Sequence, residues 1–168
     1  MINELIIEQL TRRHDRAAFD CEKENLNDFL KNFARQNDEK GLGRTYVLAL
    51  PDEPKIYGYY TISSAAVEFD ILSEEQRKKL PGFPVPVSHI GRLAIDKTAK
   101  GNRLGELLLM DGFKKTLNAA KEIGIYAVEV KALDEEAKAF YLKYGFTELL
   151  DDPLHLYLSI KTIRKLGL

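Results

Sequence analysis

Apolar positions recur along this chain with two periods, and the places where the period changes mark its elements. Residues 4–10, "ELIIEQL", read as a first strand. Within "FDCEKENLNDFLKNFARQND", Leu26, Phe29, Leu30 and Phe33 fall at i, i+3, i+4 and i+7, so one helix with a single buried stripe is expected, with Asn25 or Asn27 placed to cap it. "RTYVLAL" (44–50) and "IYGYYTISSAAVEF" (56–69) are rich in β-branched and aromatic residues and are separated by the turn signal "PDEPK", which predicts an antiparallel hairpin. Ser73 followed by Gln76 fits a capping box for a short helix "EEQRKKL", which Pro81 and Gly82 stop.

Past the connector "PGFPVPV", the segment "SHIGRLAID" reads as a central strand broken by Gly91. A long helix follows over residues 103–122, with Leu104, Leu107, Leu108, Met110 and Phe113 on its buried side. "IYAVEVKAL" (125–133) predicts a strand buried on both faces. Asp134 is placed to cap a helix whose Ala137, Phe140, Tyr141 and Tyr144 share a face and which ends at Gly145. "LHLYLSI" (154–160) is the last strand. The order implies an α/β (α+β) sandwich: a mixed central sheet of six to seven strands flanked by helices, one domain over residues 1–168.

Composition narrows the function classes. At 168 residues, 45% apolar and 30% charged, the chain suits one globular domain, and a net charge of −1 gives no overall attraction to nucleic acid or anionic lipid. The single Cys21 excludes an internal disulfide and a CxxC metal pair, and His14, His89 and His155 lie far apart, so no metal is expected. The N-terminus lacks the basic start and apolar core of a signal peptide, and no apolar run approaches about 18 residues, which makes a cytoplasmic protein without a membrane span the expectation.

The loop "DKTAKGNRLGELLL" carries the chemistry. In a strand–loop–helix unit, the unsatisfied N–H groups of the first helical turn and the helix dipole form an anion site. Gly101 and Gly105 permit close backbone approach, and Lys97, Lys100 and Arg103 add mobile positive charge, so a pyrophosphate is the natural guest. A Walker loop needs GxxxxGK followed by a hydroxyl, and a dinucleotide fingerprint needs three glycines after the first strand; "GNRLGEL" has neither. On loop chemistry alone, a glycine turn that merely joins strand to helix stays open.

"GRLAID", then "KGNRLGELLL", then "VKALDEEAKAFYLKYGF" resembles the acetyl-CoA core of GNAT-type N-acetyltransferases. That family carries Gln/Arg-x-x-Gly-x-Gly/Ala in its loop and Phe-Tyr-x-x-x-Gly-Phe at the end of the next helix. Here the loop positions are Lys100, Arg103 and Gly105, with Arg103 replacing the middle glycine, at low cost if its backbone is ordinary helical. The helix positions are Phe140, Tyr141, Gly145 and Phe146. The resemblance implies acetyl-CoA as donor. Backbone groups of Leu93 and Ile95 would pair with its pantetheine arm, the amides of Gly101, Asn102, Arg103, Leu104, Gly105 and Glu106 would hold its pyrophosphate, Lys100 would assist, and Asp134, Ala137 and Phe140 would line its far side. It also implies an oxyanion donor at the N–H of Leu93 or Ala94, and Tyr141 as the acid that protonates the departing thiolate.

Glu68 is a candidate base by position, although an exposed strand-end carboxylate reads as surface. With no better base, an α-amine of pKa about 8 is favoured over a lysine amine of about 10.4. The flanking segments "FDCEKENLNDFLKNFARQND", "GYYTISSAAVE" and "LPGFPVPVSHIGRLAID" resemble the toxin branch of toxin–antitoxin pairs that acetylate aminoacyl-tRNA, with Glu22 where that branch usually has glycine. This resemblance implies a ribbon-helix-helix antitoxin and a homodimer that receives tRNA; Arg44, Arg77 and Lys78, from basic clusters along the chain, and Arg92 are the substrate-side candidates. Two alternatives remain: acetylation of a small amine or a protein N-terminus, and a non-catalytic acyl-CoA-binding module.

Overall fold

The computed structural model describes residues 2–168. Its seven strands are β1 (Ile6–Gln9), β2 (Arg44–Ala49), β3 (Gly58–Val67), β4 (Val85–Ile95), β5 (Ala127–Lys131), β6 (Thr147–Glu148) and β7 (His155–Ser159), and they form one mixed sheet in the order β1-β2-β3-β4-β5-β7-β6. The helices are α1 (Glu24–Asn32), α2 (Ala34–Glu39), α3 (Glu74–Arg77), α4 (Leu104–Ala119), α5 (Glu135–Lys143) and α6 (Ile160–Arg164). The chain forms two compact units: one holds the residues up to Ser63 with Gly91–Gly112, the other Ser64–Ile90 with Phe113–Leu168.

In the first unit the predicted hairpin is present: β2 pairs antiparallel with β3 (Tyr46 opposite Tyr60) and with β1 (Ile6 opposite Ala49). Leu30, Ala34, Val47, Tyr59 and Ala94 meet in its core, where the Tyr59 hydroxyl donates to the Leu26 carbonyl at 2.7 Å. The single helix expected here is two. The chain turns at Phe33 (φ −125°, ψ −28°), which throws that ring outward, 47% exposed, while Phe29 and Leu30 stay buried. Lys23 stands at the cap position and makes no side-chain capping bond there, and Asn27 Oδ1 accepts the N–H of Cys21 at 2.9 Å. On α4 the buried face runs through Leu104, Leu108 and Leu109; Leu107, expected inside, is 43% exposed, because the face steps by four and five residues.

In the second unit β4 runs parallel to β5 (Val87 opposite Ala127) and β5 antiparallel to β7. All of β5 except Lys131 is buried, as its run of apolar residues predicts. The strand β4 begins inside the proline-rich segment and passes through Gly91 without a break. Pro86 is tolerated near its start because only its carbonyl is used, accepting the Tyr126 N–H at 2.8 Å. Ser73 Oγ accepts the Gln76 N–H at 3.2 Å, as the capping box requires, but the Gln76 side chain is bonded to the Tyr126 hydroxyl.

One polar chain crosses this unit's sheet. His89 Nδ1 lies 2.5 Å from Glu129 Oε1, His155 Nε2 lies 2.7 Å from Glu129 Oε2, and His155 Nδ1 lies 2.9 Å from Asp151 Oδ2. Burial opposes the charge on Glu129, but hydrogen bonds from His89 and His155 outweigh it and hold the carboxyl below its usual range. Burial likewise opposes protonation of His155, and its bonds to Asp151 and Glu129 reverse the balance and raise its pKa.

Candidate active site

The residues expected at the site fall into two groups, one in each unit. In the first unit, β4 delivers Arg92, Leu93, Ala94 and Ile95 to the start of the loop. Gly58 on β3 lies against that strand: a Cβ there would stand 3.0 Å from the Ala94 carbonyl oxygen and 2.8 Å from Ile95 Cδ1, so the close approach depends on glycine.

Asp96 then organises the loop. Its carboxylate accepts the N–H of Asp20 at 2.9 Å, the N–H of Thr98 at 3.0 Å and the Thr98 hydroxyl at 2.5 Å. Burial pushes its pKa up, but these bonds prevail and hold the carboxyl below the usual range. Asp20 returns the contact by accepting the Lys97 N–H at 2.8 Å. Neither aspartate was expected at the site; the Asp-x-Thr pattern of an Asx turn just before the glycine loop is the signal that would have marked Asp96.

Gly101 has φ +86° with nothing within 4 Å of where a Cβ would be, an open turn. Arg103 has φ +57°, so the ordinary helical backbone expected for it is not what it adopts: it occupies the left-handed conformation for which glycine suits this position. The N–H of Leu107 bonds to the Arg103 carbonyl at 3.3 Å, which leaves the amides of Leu104, Gly105 and Glu106 outside the ladder of α4. An open glycine turn leading into the unladdered N-terminus of a 16-residue helix fits a pyrophosphate.

The loop cations, expected to be mobile, are instead paired. Lys97 Nζ lies 3.2 Å from Asp20, Lys100 Nζ 2.8 Å from Glu22, and Arg103 Nη2 2.8 Å from Glu106.

The second group is built on α5. Asp134 Oδ1 accepts the Ala137 N–H at 2.9 Å, so this residue caps the helix as predicted. At the other end, the Gly145 N–H bonds to the Leu142 carbonyl at 3.0 Å and the Phe146 N–H to the Tyr141 carbonyl at 3.4 Å, a Schellman motif closed by glycine at φ +95°. Tyr141 is 6% exposed, its ring 5.3 Å from those of both Phe140 and Phe146. Burial alone raises its phenol above the usual value, which keeps it a proton donor across neutral pH.

Of the substrate-side candidates, Arg92 stacks its guanidinium 3.6 Å above the Phe29 ring and lines an open cleft of about 340 Å³ with Asn25, Asp28, Phe33 and Asn37. Burial lowers its pKa. Arg44 is paired with Asp38 at 2.9 Å, and Lys78 with Glu74 at 3.9 Å. Arg77 buries its Nε without a hydrogen-bond partner among the described residues. Glu68 is exposed, as expected. Among the described residues, no group of three or more His, Cys, Asp or Glu side chains is placed to hold a metal, and no helix is long and apolar enough to cross a membrane.

Comparison with known proteins finds relatives over nearly the whole chain. The chain is 35% identical over 152 residues to the tRNA-acetylating toxin of Mycobacterium tuberculosis (strain ATCC 25618 / H37Rv), covering 90% of each. It is 34% identical over 170 residues to the probable toxin TacT of Sinorhizobium fredii (strain NBRC 101917 / NGR234), covering 96% of this chain and 94% of the relative. Among solved structures, a tyrosine-to-phenylalanine mutant of KacT superposes with a TM-score of 0.92 at 37% identity, over 97% of this chain and 99% of that one. AtaT complexed with acetyl-methionyl-tRNAfMet superposes with 0.90 at 32% identity, over 98% and 99%. An AtaT mutant bound to acetyl-CoA and the C-terminus of the antitoxin AtaR gives 0.84 at 29% identity, over 98% of each chain. The acetyltransferase (GNAT) domain family matches residues 17–155, and this chain belongs to that family.

Proposed function

We propose that the protein transfers the acetyl group of acetyl-CoA to the α-amino group of an aminoacyl-tRNA, as the toxin of a toxin–antitoxin pair. The observation that carries this reading is the near end-to-end likeness to AtaT complexed with acetyl-methionyl-tRNAfMet. The donor would lie with its pyrophosphate on the amides of residues 101–106 and its pantetheine arm along Leu93 and Ile95. Asp134, Ala137 and Phe140 would line its far side.

The neutral amine attacks the thioester carbonyl, whose oxygen gathers negative charge beside the N–H of Leu93 or Ala94. As the carbon–sulfur bond breaks, Tyr141 donates its phenolic proton to the leaving sulfur, and the amine loses its extra proton to solvent. No basic side chain is needed, because an α-amine of pKa about 8 is already partly neutral at pH 7. A homodimer, a ribbon-helix-helix antitoxin and action in the cytoplasm, where charged tRNA is used, complete the proposal.

The test is incubation with labelled acetyl-CoA and, in parallel, charged tRNA, polyamines and peptides. Label should pass to charged tRNA and be lost when the aminoacyl ester is hydrolysed. Transfer to a polyamine or a peptide alone would overturn the tRNA assignment, and no transfer at all would overturn the enzyme.

A further inference from the structure

Glu22 and Lys100 are both departures from the pattern the chain otherwise follows, and the structure brings them together. Glu22 stands where glycine is usual and adopts φ +69°, and Lys100 stands where glutamine or arginine is usual. Although 78 residues apart, they meet at 2.8 Å, and Lys100 Nζ also donates to the Cys21 carbonyl at 3.3 Å.

The backbone beneath the pair is fixed. Asp20 Oδ1 accepts the Glu22 N–H at 2.8 Å and the Asn27 side-chain amide at 3.0 Å, while Asp20 itself is tied to Asp96 and Lys97. Residues 20–22 thus form a wall along the phosphate loop. The side chains above it are open, Glu22 60% and Lys100 48% exposed, so the ion pair is weak and screened and can exchange partners.

We propose that Glu22 sets the affinity of the loop for acetyl-CoA: its carboxylate competes with the donor's pyrophosphate for Lys100 and holds that ammonium back until the donor arrives. This rests on the reading of the loop as the pyrophosphate site. Removing the charge releases the Lys100 ammonium from this ion pair and lets it turn to the phosphates.

The test is titration of the full chain with acetyl-CoA and with coenzyme A at low and high salt. Glu22→Gln keeps the side-chain volume and the backbone, so it isolates the charge. It should lower Kd about two- to fivefold at low salt, the scale of one exposed charge interaction, and less at high salt. Lys100→Met should raise Kd, and Glu22→Gln should have no further effect in its presence. An unchanged or raised Kd for Glu22→Gln, or the same gain with Lys100→Met present, overturns the gate. A wild-type chain that binds neither acetyl-CoA nor coenzyme A would instead overturn the acetyltransferase reading beneath it.

Discussion

The rings of Tyr141 and Phe146 meet at 5.3 Å while the Phe146 N–H reaches back to the Tyr141 carbonyl at 3.4 Å, so the proposed acid is held by the device that ends its helix. This gives the Phe-Tyr-x-x-x-Gly-Phe spacing a physical meaning: glycine is the residue that turns left-handed, and the phenylalanine after it packs against the tyrosine five positions earlier. Tyr141→Phe keeps the packing and removes only the hydroxyl. It should leave Tm and acetyl-CoA affinity near wild type and lower kcat by about a hundredfold, the scale of one general acid; unchanged turnover would end its role as acid.

Gly145→Ala keeps the tyrosine but strains its anchor. At φ +95° an added Cβ costs about 1 to 2 kcal/mol, with only ordinary contact to Leu158 at 3.7 Å. Thermal unfolding should show a Tm lowered by several degrees, and kcat should fall with it as Tyr141 loosens.

Arg103→Gly runs the other way. The left-handed residue at φ +57° is relieved, and the pair lost to Glu106 is exposed on the arginine side. A gain of up to about 1 kcal/mol is expected, with acetyl-CoA affinity unchanged or improved. A large loss of affinity would identify the guanidinium as a phosphate ligand in its own right.

Gly58→Ala tests whether the path of β4 matters to the donor. The methyl group would press on the Ala94 carbonyl at 3.0 Å and on Ile95 Cδ1 at 2.8 Å, and overpacking of this kind costs about 1 to 3 kcal/mol. Steady-state kinetics should show a raised KM for acetyl-CoA, since the displaced backbone is the one proposed to pair with the pantetheine arm.

The Asp151–His155–Glu129–His89 chain predicts a pH window for stability. The raised pKa of His155 gives a contribution that is complete below its ordinary value of about 6.5 and is lost as pH rises through the folded value. The lowered pKa of Glu129 gives one that is complete above about 4.5 and is lost as pH falls through its folded value. Tm should therefore be highest between about pH 4.5 and 6.5 as far as these groups decide it. His155→Gln should flatten the alkaline decline in a Tm-against-pH series; an unchanged decline would place its origin elsewhere.

What short-range physics controls was legible in the residues alone. Hydrophobic period placed the helices α4 and α5, β-branched and apolar content with a turn signal placed the hairpin β2–β3 and the buried strand β5, and local hydrogen-bonding chemistry placed the caps at Ser73 and Asp134 and the exit at Gly145. The glycine loop and the Phe-Tyr-x-x-x-Gly-Phe helix were legible because each is a local backbone requirement written in residue types. The rest came from contacts between segments distant in sequence. Phe33 and Leu107 face solvent because burial depends on what packs against a stripe, which periodicity does not contain. Asp20 and Asp96 bond across 76 residues, and Glu22 and Lys100 across 78, because a sheet lays distant segments side by side. Arg103 and Glu22 carry a positive φ that neither residue type prefers, and the sign of it lay only in the glycine usual at both positions.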